Sequence, residues 1–219
     1  MKKITRIEYQ KNRKDRVNIY LDDDFAFSID LDNMIEHSLT KNMKLKEEFI
    51  DEILIAEEKI KVYNYGLRVL SRNPKSEKQL REKMNKKGFD LQFIDNAIFK
   101  LKKQKYLDDE RYSEILIDSK LNSSLWGKCK VKDVLYKRGI DRNIIEKKLS
   151  TITEKDEIKR ACYIGAKKLK TLTEDDTYKK ASKLSNFLIN RGFEYSTVRK
   201  TVSQLLASDC EEYCGFESY

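Results

Sequence analysis

Apolar side chains recur on one frame at three places in the chain, each time around a glycine. The glycines are Gly88, Gly139 and Gly192, 51 and then 53 residues apart, in the segments KKGFD, KRGID and NRGFE. Leu80, Val131 and Leu184 stand eight residues ahead of them, and Met84, Leu135 and Leu188 four ahead. Phe89, Ile140 and Phe193 follow at once, and then an acid in each copy, Asp90, Asp141 and Glu194. Six and ten residues past the glycines come Ile94, Ile145 and Val198, then Ile98, Leu149 and Val202. Steps of four lay one apolar stripe along a helix before the glycine and another along a helix after it. The glycine suits the left-handed position that closes a helix, where a Cβ would clash. Cations at Lys86, Lys87, Lys137, Arg138 and Arg191 favour the carbonyl end of the first helix. The acid is placed to cap the second. Ahead of the first copy, Pro74 ends the preceding segment, and Ser76 with Gln79 has the form of a capping box.

A further stripe precedes each pair: Val62, Tyr65 and Val69; Tyr112, Ile115 and Leu116; Ile158, Ala161, Gly165 and Leu169. The pattern thus predicts a mainly α chain of three tandem three-helix, helix-turn-helix-like repeats, over residues 57–106, 107–154 and 155–207. Such units stack into an elongated array, with Gly88, Gly139 and Gly192 as structural turns. Residues 1–56 differ. Val17, Ile19 and Leu21 alternate with polar neighbours, as do Phe25, Phe27 and Ile29, with Ile7 and Tyr9 before them. This predicts a small three-stranded β-meander, followed from Leu45 to Ile60 by a helix whose face of Phe49, Ile53 and Ala56 covers it. Residues 208–219 are expected to form a disordered tail.

Composition adds little to the fold but much to the choice of partner. No run of eighteen apolar residues occurs and the basic start lacks a signal-peptide core, so the expectation is a cytoplasmic protein with no membrane contact. Cys129, Cys162, Cys210 and Cys214 have no disulfide-framework spacing, and with His37 alone they make no metal-ligand set. No phosphate-loop glycine pattern precedes Lys128, and the acidic group Asp108 to Glu110 reads as a helix start capped by Asp108 or Asp109. Neither an enzyme nor a cofactor is expected. Charge is placed unevenly: 11 basic against 14 acidic residues over 1–60, 23 against 12 over 61–150, and 12 against 11 over 151–219. A basic field of that size favours a polyanion or an acidic protein surface. The candidate contact residues, chosen on charge, are Arg72, Lys75, Arg81, Lys86, Lys87, Lys128, Lys130, Lys137 and Arg138. Tyr106, Leu107 and Tyr112 read as packing residues rather than a docking patch.

Residues 65–90, YGLRVLSRNPKSEKQLREKMNKKGFD, followed by LKKQKYLDDERYSE at 101–114, resemble the RecX regulators of the bacterial RecA recombinase. KRGID at 137–141, LSNFLINRGFEYSTVRKTV at 184–202 and RVNIYLDDDFAFSID at 16–30 are similar to later and N-terminal parts of that family; WGKCKVK at 126–132 departs from its more Gly- and Arg-rich stretch. The resemblance implies a non-enzymatic regulator in recombination and DNA repair, and the thin core of the repeats suggests a monomer. It would bind the RecA filament, and single-stranded DNA directly or through that filament, hindering filament growth, ATP hydrolysis and strand exchange. The alternative is a helix-turn-helix DNA-binding protein. Its reading helices would be 91–104 and 142–152, which offer few early Arg, Asn or Gln side chains for base edges.

Overall fold

The computed structural model describes residues 1–207; the tail expected at 208–219, with Cys210 and Cys214, lies outside the described residues. By its internal contacts the chain divides into two compact units, Met1–Pro74 with Leu80–Leu107, and Lys75–Gln79 with Asp108 onward.

The first unit opens with strands β1 (Lys2–Gln10), β2 (Arg13–Leu21) and β3 (Asp24–Asp30), then a short helix α1 (Leu31–Glu36) and a two-residue strand β4 (Lys44–Leu45). The sheet is four-stranded and antiparallel in the order β3-β2-β1-β4, so the expected meander gains a fourth strand at its edge. Val17 pairs with Ile29 and Ile19 with Phe27, which puts the alternating apolar set on one face. That face closes over Ile4, Leu39, Leu45 and Ile53.

Ile53 belongs to α2 (Glu47–Arg72), and here the structure departs from the pattern reading. The helix expected to cover the sheet and the first helix of the first repeat are a single 26-residue helix. Nothing between Ala56 and Val62 can stop it, since Glu-Glu-Lys-Ile-Lys contains neither glycine nor proline. Its first half is tied to the sheet by the buried Glu57. One carboxylate oxygen accepts from the Asp30 amide at 2.8 Å and from Asn33 Nδ2 at 3.2 Å, while the other meets Arg16 at 2.6 Å. Its second half packs on α3 (Glu77–Lys86) and α4 (Leu91–Lys103) through Val62, Leu80, Met84, Ile94, Ile98 and Leu101. A Cβ on Gly66 would come within 2.7 Å of the Leu101 and Met84 side chains, so those two side chains pack directly on the α2 backbone there.

The second unit carries the other two repeats. One consists of α5 (Asp109–Asp118), a π turn at Ser119–Ser123, α6 (Lys128–Lys137) and α7 (Arg142–Ser150), around Tyr112, Leu116, Val131, Leu135 and Ile145. The next consists of α8 (Glu154–Leu169), α9 (Thr177–Asn190) and α10 (Tyr195–Ala207), around Ala161, Leu184, Leu188, Phe193 and Val198. Ile115, placed by pattern on the buried stripe of α5, is 48 % exposed; Ile117 takes its place in the core. Tyr112, Ser113, Leu116 and Ile117 form the buried stripe of α5 by ordinary three- and four-residue steps, which leaves Ile115 on its flank.

All three repeat glycines have positive φ, +85° at Gly88, +76° at Gly139 and +88° at Gly192. Each closes its helix with one bonding pattern: the glycine amide bonds back to Asn85, Tyr136 or Ile189, and the following amide to Met84, Leu135 or Leu188. Asp90 and Asp141 then cap α4 and α7 by accepting from Gln92 and Asn143 amides at 2.9 and 2.8 Å. The Ser76–Gln79 capping box is reciprocal, with both bonds at 3.3 Å.

Two substitutions separate backbone strain from crowding. Gly88→Ala has open space but unfavourable φ, and costs about 1 kcal/mol. At Gly127 a Cβ would overlap the Gly192 carbonyl, so Gly127→Ala costs about 3 kcal/mol. Denaturant unfolding ranks the two, and a larger loss at Gly88 contradicts this account. Glu57→Ala leaves Arg16 half-buried and unpaired and lowers stability by about 3 kcal/mol, read in the same experiment.

Candidate functional site

Two joints inside the second unit are built alike, and they decide which of the basic side chains are available to a partner. In the first, the leading turn of α3 sits on the glycine turn that ends α6. Ser76 Oγ donates to the Arg138 carbonyl at 2.6 Å, Lys78 Nζ to the Lys137 carbonyl at 3.3 Å, and the Glu77 amide to the Asp109 carboxylate at 2.9 Å. In the second, the leading turn of α6 sits on the glycine turn that ends α9. The Gly127 amide donates to the Arg191 carbonyl at 3.0 Å and Lys130 Nζ to the Asn190 carbonyl at 3.2 Å. The Lys128 amide donates to the Glu157 carboxylate at 3.2 Å, and the Cys129 amide to the Gly192 carbonyl at 3.0 Å. The orphan carbonyls at one helix end are thus met by donors from the start of another, a hydroxyl and an ammonium at the first joint and amides with an ammonium at the second, while one orphan amide of each start goes to a carboxylate. Gly139 and Gly192 are needed twice over, for their φ and because Lys78 or Lys130 lies against the missing Cβ.

Four of the nine charge-chosen side chains are engaged within the protein. Lys128 gives its ammonium to the Ile152 carbonyl, and Lys130 lies 4.6 Å over the Trp126 ring as well as on Asn190. Arg138 donates to the Tyr112 hydroxyl with its guanidinium over that ring, and its carbonyl accepts from Ser76. Arg81 is ion-paired with Asp95. Lys75 is half-buried at the start of the α3 segment. Arg72, Lys86, Lys87 and Lys137 stand exposed at helix ends, and these four present charge outward. Of the nine, Arg72, Arg81, Lys86 and Lys87 lie in the first unit, and Lys75, Lys128, Lys130, Lys137 and Arg138 in the second. Leu107 and Tyr112 are buried in their respective cores, whereas Tyr106 is 59 % exposed.

A feature absent from the sequence reading is a groove of about 520 Å³ in the first unit. Tyr65 and Phe89 line it, their rings edge to face at 5.2 Å, together with Arg13, Lys61, Arg68 and Lys87. These residues come from a strand, a long helix and a turn, so no single periodic signal marks them. The recurring position of Phe89 after its glycine was the one available clue. Elsewhere, His37 Nδ1 lies 3.0 Å from the Asn33 carbonyl, and burial pushes the Cys129 thiol above its usual range, with Glu194 nearby adding to the effect. Among the described residues no group of three His, Cys, Asp or Glu side chains is arranged to hold a metal ion, and no helix is long and apolar enough to cross a membrane.

The division of the basic residues is testable by stability alone. Lys130→Ala and Arg138→Ala lower unfolding free energy by about 1–2 kcal/mol through lost hydrogen bonds and packing. Lys86→Ala and Lys137→Ala stay within about 0.5 kcal/mol. Equal losses in both pairs would mean that the joints do not depend on these side chains.

Comparison with known proteins agrees with this architecture segment by segment. Residues 2–46 match the regulatory protein RecX N-terminal domain, and residues 63–101, 108–149 and 154–202 match the first, second and third three-helix domains of RecX. The regulatory protein RecX of Clostridium perfringens strain SM101 is 36 % identical over 214 residues, covering 97 % of this chain and all of the relative. That of Clostridioides difficile strain 630 is 33 % identical, covering 94 % and 97 %. A crystal structure of regulatory protein RecX superposes with a TM-score of 0.78 at 27 % identity, covering 93 % of this chain and the whole of that one. A RecX crystal structure from Lactobacillus salivarius gives 0.66 at 26 % identity over 70 % of this chain and 99 % of that one. With the sheet-bearing start and all three helical domains each matched in order, the chain belongs to the RecX family of regulatory proteins.

Proposed function

We propose that this protein is a non-enzymatic, cytoplasmic regulator of RecA. It binds the recombinase filament on single-stranded DNA as a monomer, and hinders filament growth, ATP hydrolysis and strand exchange. The observation that carries this reading is the repetition itself: three helical domains of one design, each of which can make a modest contact with a partner that is also repetitive. Several weak contacts on one chain reinforce one another through effective concentration. The basic excess over residues 61–150 fits a partner that combines acidic protein surface with DNA phosphates. DNA is met directly or through the filament, with Arg72, Lys86, Lys87 and Lys137 as the exposed cations on offer.

The test is ATP hydrolysis by the RecA protein of the same cell on single-stranded DNA, titrated with this protein at low and high salt. Inhibition at well below one regulator per recombinase is the expected result, weakening as salt screens the basic surface. Absence of inhibition at molar excess, with tight binding to one duplex sequence, would replace this reading with the helix-turn-helix alternative.

A further inference from the structure

The glycine turns of the second and third domains are both occupied, and the turn of the first is not. Among the described residues no heavy atom lies within 4 Å of the Cβ that Gly88 would carry, whereas at Gly139 and Gly192 the nearest atoms belong to Lys78 and Lys130 of the seated helix starts. The residue after each glycine records the same difference. Ile140 and Phe193 are 4 % and 3 % exposed, but Phe89 is only half-buried and forms part of the groove wall. The hydrogen-bonding groups that hold a seated helix are present around Gly88 as well. Lys87 supplies the carbonyl that Arg138 and Arg191 supply elsewhere, and Lys86 the one supplied by Lys137 and Asn190. Glu58 reaches the groove from α2, thirty residues ahead of Gly88, as Asp109 is thirty ahead of Gly139.

We propose that the Gly88 turn and its groove form a docking socket for the amino-terminal end of a helix on the recombinase, a partner choice that rests on the reading above. The incoming helix carries Ser, Thr or Gly at its N-cap, because the two seated examples have Ser76 and Gly127 there. Its first free amide is taken by Glu58, in exchange for part of that carboxylate's ion pair with Lys61, as Glu77 and Lys128 amides are taken by Asp109 and Glu157. Acidic side chains beside it face Arg68 and Lys87, since Arg13 is ion-paired with Asp15 and Lys61 with Glu58. In a second copy of this chain the corresponding helix, α9, fits less well: its start is capped by Asp176, sixteen residues ahead of Gly192, against twelve for Ser76 and Gly127. The helix is one turn longer, so the groups that would enter the socket are displaced by that turn.

The test places a photoreactive p-benzoylphenylalanine at Lys87 in the full-length chain, illuminates it on RecA bound to single-stranded DNA, and maps the product by mass spectrometry. The expected product joins position 87 to the first turn of a recombinase helix beginning at Ser, Thr or Gly. Alongside it, Arg68→Glu with Lys87→Glu weakens filament binding about tenfold without lowering the melting temperature. The charge-matched pair Lys147→Glu with Lys179→Glu changes binding less than about threefold. Capture of DNA, of a second copy, or of a recombinase strand or loop overturns the socket while inhibition of ATP hydrolysis keeps the regulatory reading alive. Equal losses from the two charge-reversed pairs also overturn it. Failure of the unmodified protein to inhibit RecA removes the regulatory reading and the socket with it.

Discussion

A helix leaves amides unsatisfied at its start and carbonyls unsatisfied at its end, and in the second unit both are satisfied across joints between helices. The left-handed glycine is what makes this possible. It turns the chain away within one residue, so the last carbonyls of α6 and α9 remain accessible to another helix start instead of being wrapped by their own continuation. The apolar cores of the repeats could exist without this device. In the second unit the Gly127 and Cys129 amides, on the Arg191 and Gly192 carbonyls at 3.0 Å, fix where α6 meets the end of α9, whereas side-chain packing alone tolerates sliding.

Family membership and fold were legible because they rest on features with short-range chemical causes. The glycine turns, the Asp90 and Asp141 caps and the Ser76–Gln79 box are each decided within four residues, and the apolar stripes repeat often enough to identify the unit. The unbroken α2 was harder to see because its two halves bury against different partners, so the stripe appears to start afresh where only the partner changes. The short β4 strand was equally hidden, since it is defined by its pairing with Lys2 and Lys3, about forty residues away in sequence.

The basic residues show the limit most clearly. A lysine facing water and one whose ammonium rests on a carbonyl are the same letter in a sequence, and composition counts both as surface charge. Lys128 and Lys130 spend theirs on Ile152 and Asn190, and Arg138 stacks on Tyr112, whereas Lys86 and Lys87 hold theirs outward. Asp109 and Glu157 were equally hidden, since an acid near a helix start ordinarily serves its own helix rather than the amide of another.

The continuity of α2 makes the sheet and the first helical domain phase-locked. Glu57 faces the strands and Gly66 faces Met84 and Leu101, nine residues further along the same rigid rod. One residue gained or lost between them would rotate one face against the other by about 100°, parting either the carboxylate from Arg16 or the glycine from its neighbours. The later domains carry no such lock along one helix, and α9 is a full turn longer than its counterparts α3 and α6 while keeping the same glycine turn. Between Glu57 and Gly66, α2 therefore accepts substitution but not insertion.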